Sequence, residues 1–184
     1  AKLKAEIGKV IVGQEDVIEK VIISIFSRGH ALLVGVPGLA KTLLVNTISQ
    51  VLGLSYNRIQ FTPDLLPGDV LGMTVWSVEK KDFVFKKGAI MHQFILADEI
   101  NRASDRTQSS LLEAMQEETV TVDGRTYELP RPFFVIGTQN PSSFSGTFLL
   151  PEAQLDRFMM KIVLDYPERT KELEVIEKIN QGFD

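Results

Sequence analysis

Ala31-Leu32-Leu33-Val34-Gly35-Val36-Pro37-Gly38-Leu39-Ala40-Lys41-Thr42 is an apolar run that passes through a Gly/Pro turn and ends in Lys-Thr at the head of an apolar segment. This order predicts a buried strand over Ala31 to Val34, a loop of small residues, and a helix over Lys41 to Leu52 closed by Gly53. In such a loop successive backbone N–H groups point inward and, with the helix N-terminus, wrap a polyphosphate. The candidate nucleotide-binding residues are therefore Gly35, Val36, Pro37, Gly38, Leu39, Ala40, Lys41, Thr42 and Leu43. Lys41 would reach the β and γ phosphates, and the Thr42 hydroxyl would sit on the Mg²⁺ that bridges them. The spacing matches G-x-x-x-x-[small]-K-[ST], with Ala40 where the general pattern has glycine. If that position needs a positive φ, alanine costs roughly 1 kcal/mol there. The alternative is an ordinary strand-to-helix turn in which Lys41 is a solvated first-turn residue.

Working outward, 184 residues that are 44% hydrophobic and 24% charged can bury one substantial core, as expected of a soluble globular domain. The formal net charge of −4 removes any global electrostatic case for nucleic acid. The absence of cysteine excludes disulfides, thiolate zinc sites and a cysteine nucleophile. The most apolar N-terminal segment, Val17 to Phe26, is broken by Glu19 and Lys20, and neither a membrane span nor a signal peptide is expected. The expected location is cytoplasmic. His30 and His92 are too few and too scattered for a metal site and read as structural.

Along the chain, a short polar helix is expected over Lys2 to Lys9 and an amphipathic one over Gln14 to Ser27. Apolar strands begin near Ala31, Tyr56, Phe94, Phe133 and Met159 and alternate with helices, which predicts an α/β fold with a five-stranded parallel sheet covered on both faces. Two hairpins interrupt the succession. One spans Thr74 to Phe85 around a charged tip, and the other turns at Asp123-Gly124 between alternating β-formers. Between Thr62 and Gly72 only a short helix fits, Ser104 is a candidate N-cap for a helix to Glu117 with Asp105 as competitor, and Ser142 to Phe148 reads as a loop. A short helix is expected from Pro151 to Arg157 and another over about 168–180. Lys80-Lys81 and Lys86-Lys87 read as a solvated hairpin surface.

Ligands in parallel sheets bind at the carboxyl ends of the strands, where the phosphate loop, Asp98-Glu99 and Thr138-Gln139-Asn140 all fall. Asp98 would hold Mg²⁺ through water. Glu99 would orient and deprotonate an attacking water, a task that needs a carboxylate near the γ phosphate but off the metal. The simpler reading is an acidic pair that caps the segment after it. Asn140 could hydrogen-bond the γ phosphate or the attacking water, or serve only as a turn residue before Pro141. Arg157 could face a neighbouring subunit's γ phosphate and stabilise transition-state charge, or could pair with Asp156 or Glu152.

These residues carry a resemblance to the MoxR-type AAA+ ATPases. Gly35 to Thr42 is similar to that family's Walker A, alanine included; Ile95 to Ala103 resembles its Walker B and the extension beyond it; Thr138-Gln139-Asn140-Pro141 resembles sensor 1; and Leu150 to Phe158 resembles the arginine-finger segment. Val12-Gly13-Gln14 is similar to the segment that lines the adenine pocket, which adds Val12 and Gly13 to the nucleotide-binding set. The resemblance implies a P-loop three-layer αβα core of the helix-2-insert clade, with Thr74 to Phe85 as the insert and Val120 to Leu129 as the hairpin before sensor 1. It places the ATPase core at 1–165 and a linker with the start of a helical lid at 166–184. Ala89 and Ser104 stand where the family is expected to have prolines.

The function implied is Mg²⁺-dependent ATP hydrolysis by a ring-forming, hexameric ATPase with ATP/ADP and Mg²⁺ as cofactors. It would remodel client proteins or insert cofactors or metals into them, with von Willebrand factor A-type proteins among its clients. The competing reading is a nucleotide-gated binding module whose turnover is incidental. A small-molecule phosphotransferase is disfavoured because Glu99 beside Asp98 points to water as the acceptor.

Overall fold

Strand residues alternate between two apolar layers, and that alternation builds the molecule. In the computed structural model, which describes Lys2, 15–35, 39–140, Leu150, 152–158 and 160–163, β1 (Ala31–Val34), β2 (Tyr56–Gln60), β5 (Phe94–Asp98), β8 (Phe134–Gln139) and β9 (Met160–Val163) form one parallel sheet in the order β2-β5-β8-β1-β9. Leu32, Ile95, Ala97 and Val135 point into a core closed by Leu111, Leu112 and Met115 of α4 (Asp105–Glu117). Their neighbours Ala31, Leu33, Phe94, Leu96, Phe134 and Ile136 point the other way, against α1 (Glu15–Phe26) and α2 (Leu39–Leu52). Helices on both faces make each central strand continuously apolar, which is why β5 is buried throughout. Among the described residues no helix is long and apolar enough to cross a membrane.

The expected α/β sheet is therefore present, and most element boundaries fall within a residue or two of expectation. Helix α2 is the informative difference. It begins at Leu39, two residues before the expected Lys41, so Ala40 lies in its first turn, in right-handed helical backbone. The roughly 1 kcal/mol cost expected at Ala40 is not incurred. The Lys2–Lys9 helix, the 142–148 loop, the helix over 168–180, the core-to-lid boundary, and Val12, Gly13, Val36, Pro37 and Gly38 lie outside the described residues.

A one-turn α3 (Pro67–Leu71) leads into the first hairpin, β3 (Gly72–Ser77) with β4 (Asp82–Lys87). The second hairpin, β6 (Thr119–Val122) with β7 (Arg125–Glu128), turns at Asp123 (φ 49°) and Gly124 (φ 75°), the left-handed pair that an Asp-Gly turn requires. Phe85 of one hairpin stacks on Tyr127 of the other at 3.9 Å between centroids. Trp76 and Phe83 pair edge to face across the first hairpin, both largely exposed, and Lys80, Lys81, Lys86 and Lys87 are all exposed. Ser104 caps α4 by accepting the Thr107 N–H, so the cap is Ser104 rather than Asp105. A four-residue α5 (Glu152–Leu155) precedes β9.

Candidate functional site

The strand order reverses between β1 and β8, and in parallel sheets the crevice at such a reversal receives ligands. The register levels the strand ends there: Val34 is opposite Gln139, Gln60 is opposite Asp98, and Ala97 is opposite Gly137. Gly35 N–H donates to the Gln139 carbonyl at 3.1 Å, tying the residue that follows β1 to β8. Asp98 and Thr138 share the parity of Leu96 and Ile136, so both point toward the face covered by α2. In β5 and β8 that face is apolar until it reaches these two residues at its carboxyl edge.

Lys41 enters from the first turns of α2 and is 5% exposed, with Nζ donating to the Gly35 carbonyl at 3.0 Å. Burial pushes its pKa down, while the negative charges of Asp98 and Glu99 push it back up. The solvated first-turn lysine of the simpler reading is thus not what the fold contains. Thr42 follows on the same helix, half-buried, and Leu43 is on its exposed side.

Asp98 ends β5 and is the most constrained carboxylate of the group. Its Oδ1 accepts the Thr138 hydroxyl at 2.6 Å, and its Oδ2 accepts Arg58 Nη2 at 2.6 Å. Glu99 leaves the strand in the left-handed region (φ 53°, ψ 54°), a conformation that costs a non-glycine residue about 1–2 kcal/mol. Two contacts hold it there. Its N–H donates to Thr138 Oγ1 at 2.8 Å, and its Oε2 lies 3.7 Å from Arg102 Nη1. The short 3₁₀ helix that follows, Ile100–Arg102, buries Ile100 against the sheet above Gly137. A Cβ at Gly137 would meet Ile100 Cδ1, so glycine in this central strand makes room for the Ile100 side chain as it is packed here.

The structure thus brings together Gly35, Lys41, Asp98, Glu99 and the end of β8, where Asn140 is half-buried. Arg157 is exposed in the turn after α5. Sequence reasoning missed Arg58 entirely and treated Thr138 only as part of a cluster. The usable signal for Arg58 was its period-two spacing with Tyr56 and Gln60, which places a cation on the same face as Asp98. His30, read as structural, is buried and uses both ring nitrogens: Nε2 donates to the Met115 carbonyl at 3.3 Å and Nδ1 accepts the Val135 N–H at 2.9 Å.

Residues 30–160 match the family described as "ATPase family associated with various cellular activities (AAA)". The chain is 47% identical over 174 residues to the protein named Chaperone MoxR1 of Mycobacterium tuberculosis, covering 95% of this chain and 46% of that protein. It is 47% identical over 175 residues to the Bacillus subtilis protein YeaC, 95% of this chain and 55% of that one, and 33% identical over 172 residues to Protein MoxR of Methylorubrum extorquens, 91% and 50%. A crystal structure of a candidate ATPase from Cytophaga hutchinsonii superposes with a TM-score of 0.88 at 51% identity, over 97% of this chain and 54% of that one. The chain accordingly spans about half the length of the curated relatives it matches. A parallel sheet with its polar edge at the β1–β8 switch point and a match over most of the chain agree, and the chain belongs to the AAA ATPase family as a MoxR-type member.

Proposed function

We propose that this chain is the hydrolytic core of a chaperone-like AAA+ ATPase that binds ATP and Mg²⁺ and cleaves the terminal phosphate with water. The observation that carries this reading is the group Lys41, Asp98, Glu99 and Thr138 gathered at the carboxyl edge of the sheet. In it Lys41 is the phosphate-facing cation, held near the loop by its bond to the Gly35 carbonyl and facing the two carboxylates. Thr42 and Asp98 offer hydroxyl and carboxylate oxygens, the hard donors that suit Mg²⁺, an ion that takes one or two protein ligands and fills the rest of its shell with substrate oxygens and water. When bound, that metal neutralises charge on the β and γ oxygens. Glu99 accepts the proton of the attacking water, its reach set by the left-handed turn and the Thr138 anchor. Asn140 orients the γ phosphate or the water, and Arg157 stabilises transition-state charge at a neighbouring subunit's site.

Val12 and Gly13 would line the adenine pocket, and Gly35 to Leu43 would wrap the phosphates. The assembly we propose is a hexameric ring, its clients include von Willebrand factor A-type proteins, and its work is remodelling or cofactor and metal insertion. The name of the mycobacterial relative, a chaperone, supports this class of work. The core would end near 165 and a helical lid begin after it.

Glu99→Gln tests the reading because it keeps shape and removes the base. ATP affinity is expected within about threefold of the parent, while steady-state phosphate release falls about 10²–10⁴-fold. Undiminished turnover in that variant would sink the assignment of Glu99 and favour a binding module.

A further inference from the structure

Asp98 has a partner that phosphate-loop chemistry does not call for. Its Oδ1 accepts the Thr138 hydroxyl, and its Oδ2 accepts two donors from Arg58, Nη2 at 2.6 Å and Nε at 3.2 Å. Each carboxylate oxygen offers about two lone-pair directions, so Arg58 alone fills Oδ2. A guanidinium cation therefore stands against the carboxylate proposed to face a divalent cation. Two positive charges drawn to one carboxylate repel each other with an energy that grows as their separation shrinks, and Asp98 is too buried for bulk water to screen this fully.

The two partners differ in how freely they can move. The Asp98 side chain is 12% exposed and held by Thr138 from β8, whereas Arg58 is 46% exposed on β2, at the edge of the described sheet. Arg58 Nη2 also donates to Gln60 Oε1 at 2.9 Å, two residues along the same strand face. A neutral acceptor is thus already in reach when the carboxylate is taken away. Release of Arg58 buries no new charge, because its side chain is about half exposed and already paired with Gln60.

We infer that Arg58 is a tethered cation that occupies Asp98 Oδ2 before the metal arrives and gives way toward Gln60 and solvent as Mg²⁺-nucleotide loads. Arg58 and Mg²⁺ then compete for one oxygen, and Arg58 raises the Mg²⁺ concentration at which the site fills. This makes Arg58 a positioning residue that acts on Asp98. The inference rests on Asp98 facing the metal, as proposed above.

The experiment is a MgCl₂ titration of a fluorescent ADP analogue bound to the parent chain, Arg58→Ala and Arg58→Lys, with an EDTA arm. In EDTA the three proteins should bind the analogue alike, since the phosphate-loop groups do not include Arg58. The Mg²⁺ midpoint of Arg58→Ala is expected to fall about fivefold, the size of a partly exposed ion pair. Arg58→Lys, which keeps the charge without the planar fork, should fall between the two. A midpoint in Arg58→Ala that is unchanged or raised overturns the inference, a raised one because Arg58 would then be orienting Asp98 for the metal. Loss of binding in EDTA also overturns it by placing Arg58 on the phosphates. If the parent shows no Mg²⁺ dependence, the metal role of Asp98 fails and the inference falls with it; if the parent responds and Arg58→Ala does not shift, the inference fails alone.

Discussion

Thr138 donates its hydroxyl proton to Asp98 and accepts the Glu99 N–H with the same oxygen, at 1% exposure. One side chain on β8 thereby sets the position of both acidic residues on the neighbouring strand. Thr138→Val preserves shape but leaves a buried N–H and a carboxylate oxygen short of partners, a loss of about 1–3 kcal/mol. Phosphate release is expected to drop about 10–100-fold with nucleotide affinity nearly unchanged, and Thr138→Ser to restore most of the rate. Equal losses in Val and Ser variants would contradict this role. The sequence directed attention to Asn140 instead, because threonine in a buried strand is ordinary β composition and carries no functional signal by itself. Backbone strain shows the same limit: the expected place was Ala40, whereas within the group around Asp98 it is Glu99 that holds a left-handed conformation.

At the scale of elements, His30 fastens the start of β1 to α4 through the Met115 carbonyl and to β8 through the Val135 N–H. Burial pushes its pKa below the ordinary 6.5, while the Met115 bond and the Glu118 charge oppose the shift. The folded state therefore favours neutral imidazole. Its contribution to stability is fully present above pH 6.5 and is lost as pH falls through that value toward the lower folded pKa, since protonation removes the acceptor for Val135. His30→Asn should melt lower than the parent at pH 7.5, and the gap should narrow at pH 5.5. A gap in melting temperature that stays constant across this range would rule the linkage out. That His30 is structural was legible from the number and scatter of the histidines; which elements it joins was not, because Met115 and Val135 are remote in sequence.

For the whole molecule, Arg157 and Lys41 provide the test of assembly. Arg157 is exposed, which suits the role proposed for it toward another copy of the chain. Arg157→Ala and Lys41→Ala are each expected to lose about 10³-fold or more in phosphate release, and mixing the two should restore activity. No recovery on mixing would mean that the arginine does not act across an interface. The sequence by itself determined the class of fold, the parallel sheet, both hairpins and the place of the acidic pair at a strand end, because these depend on local periodicity, turn chemistry and spacing. Strand order, the level register of strand ends, and the network Arg58–Asp98–Thr138–Glu99 were decided only by tertiary structure. The reason is physical: which strands pair and which side chains meet depends on contacts between residues about 40 apart in the chain, and those are selected by burial of two apolar faces at once, not by any local preference.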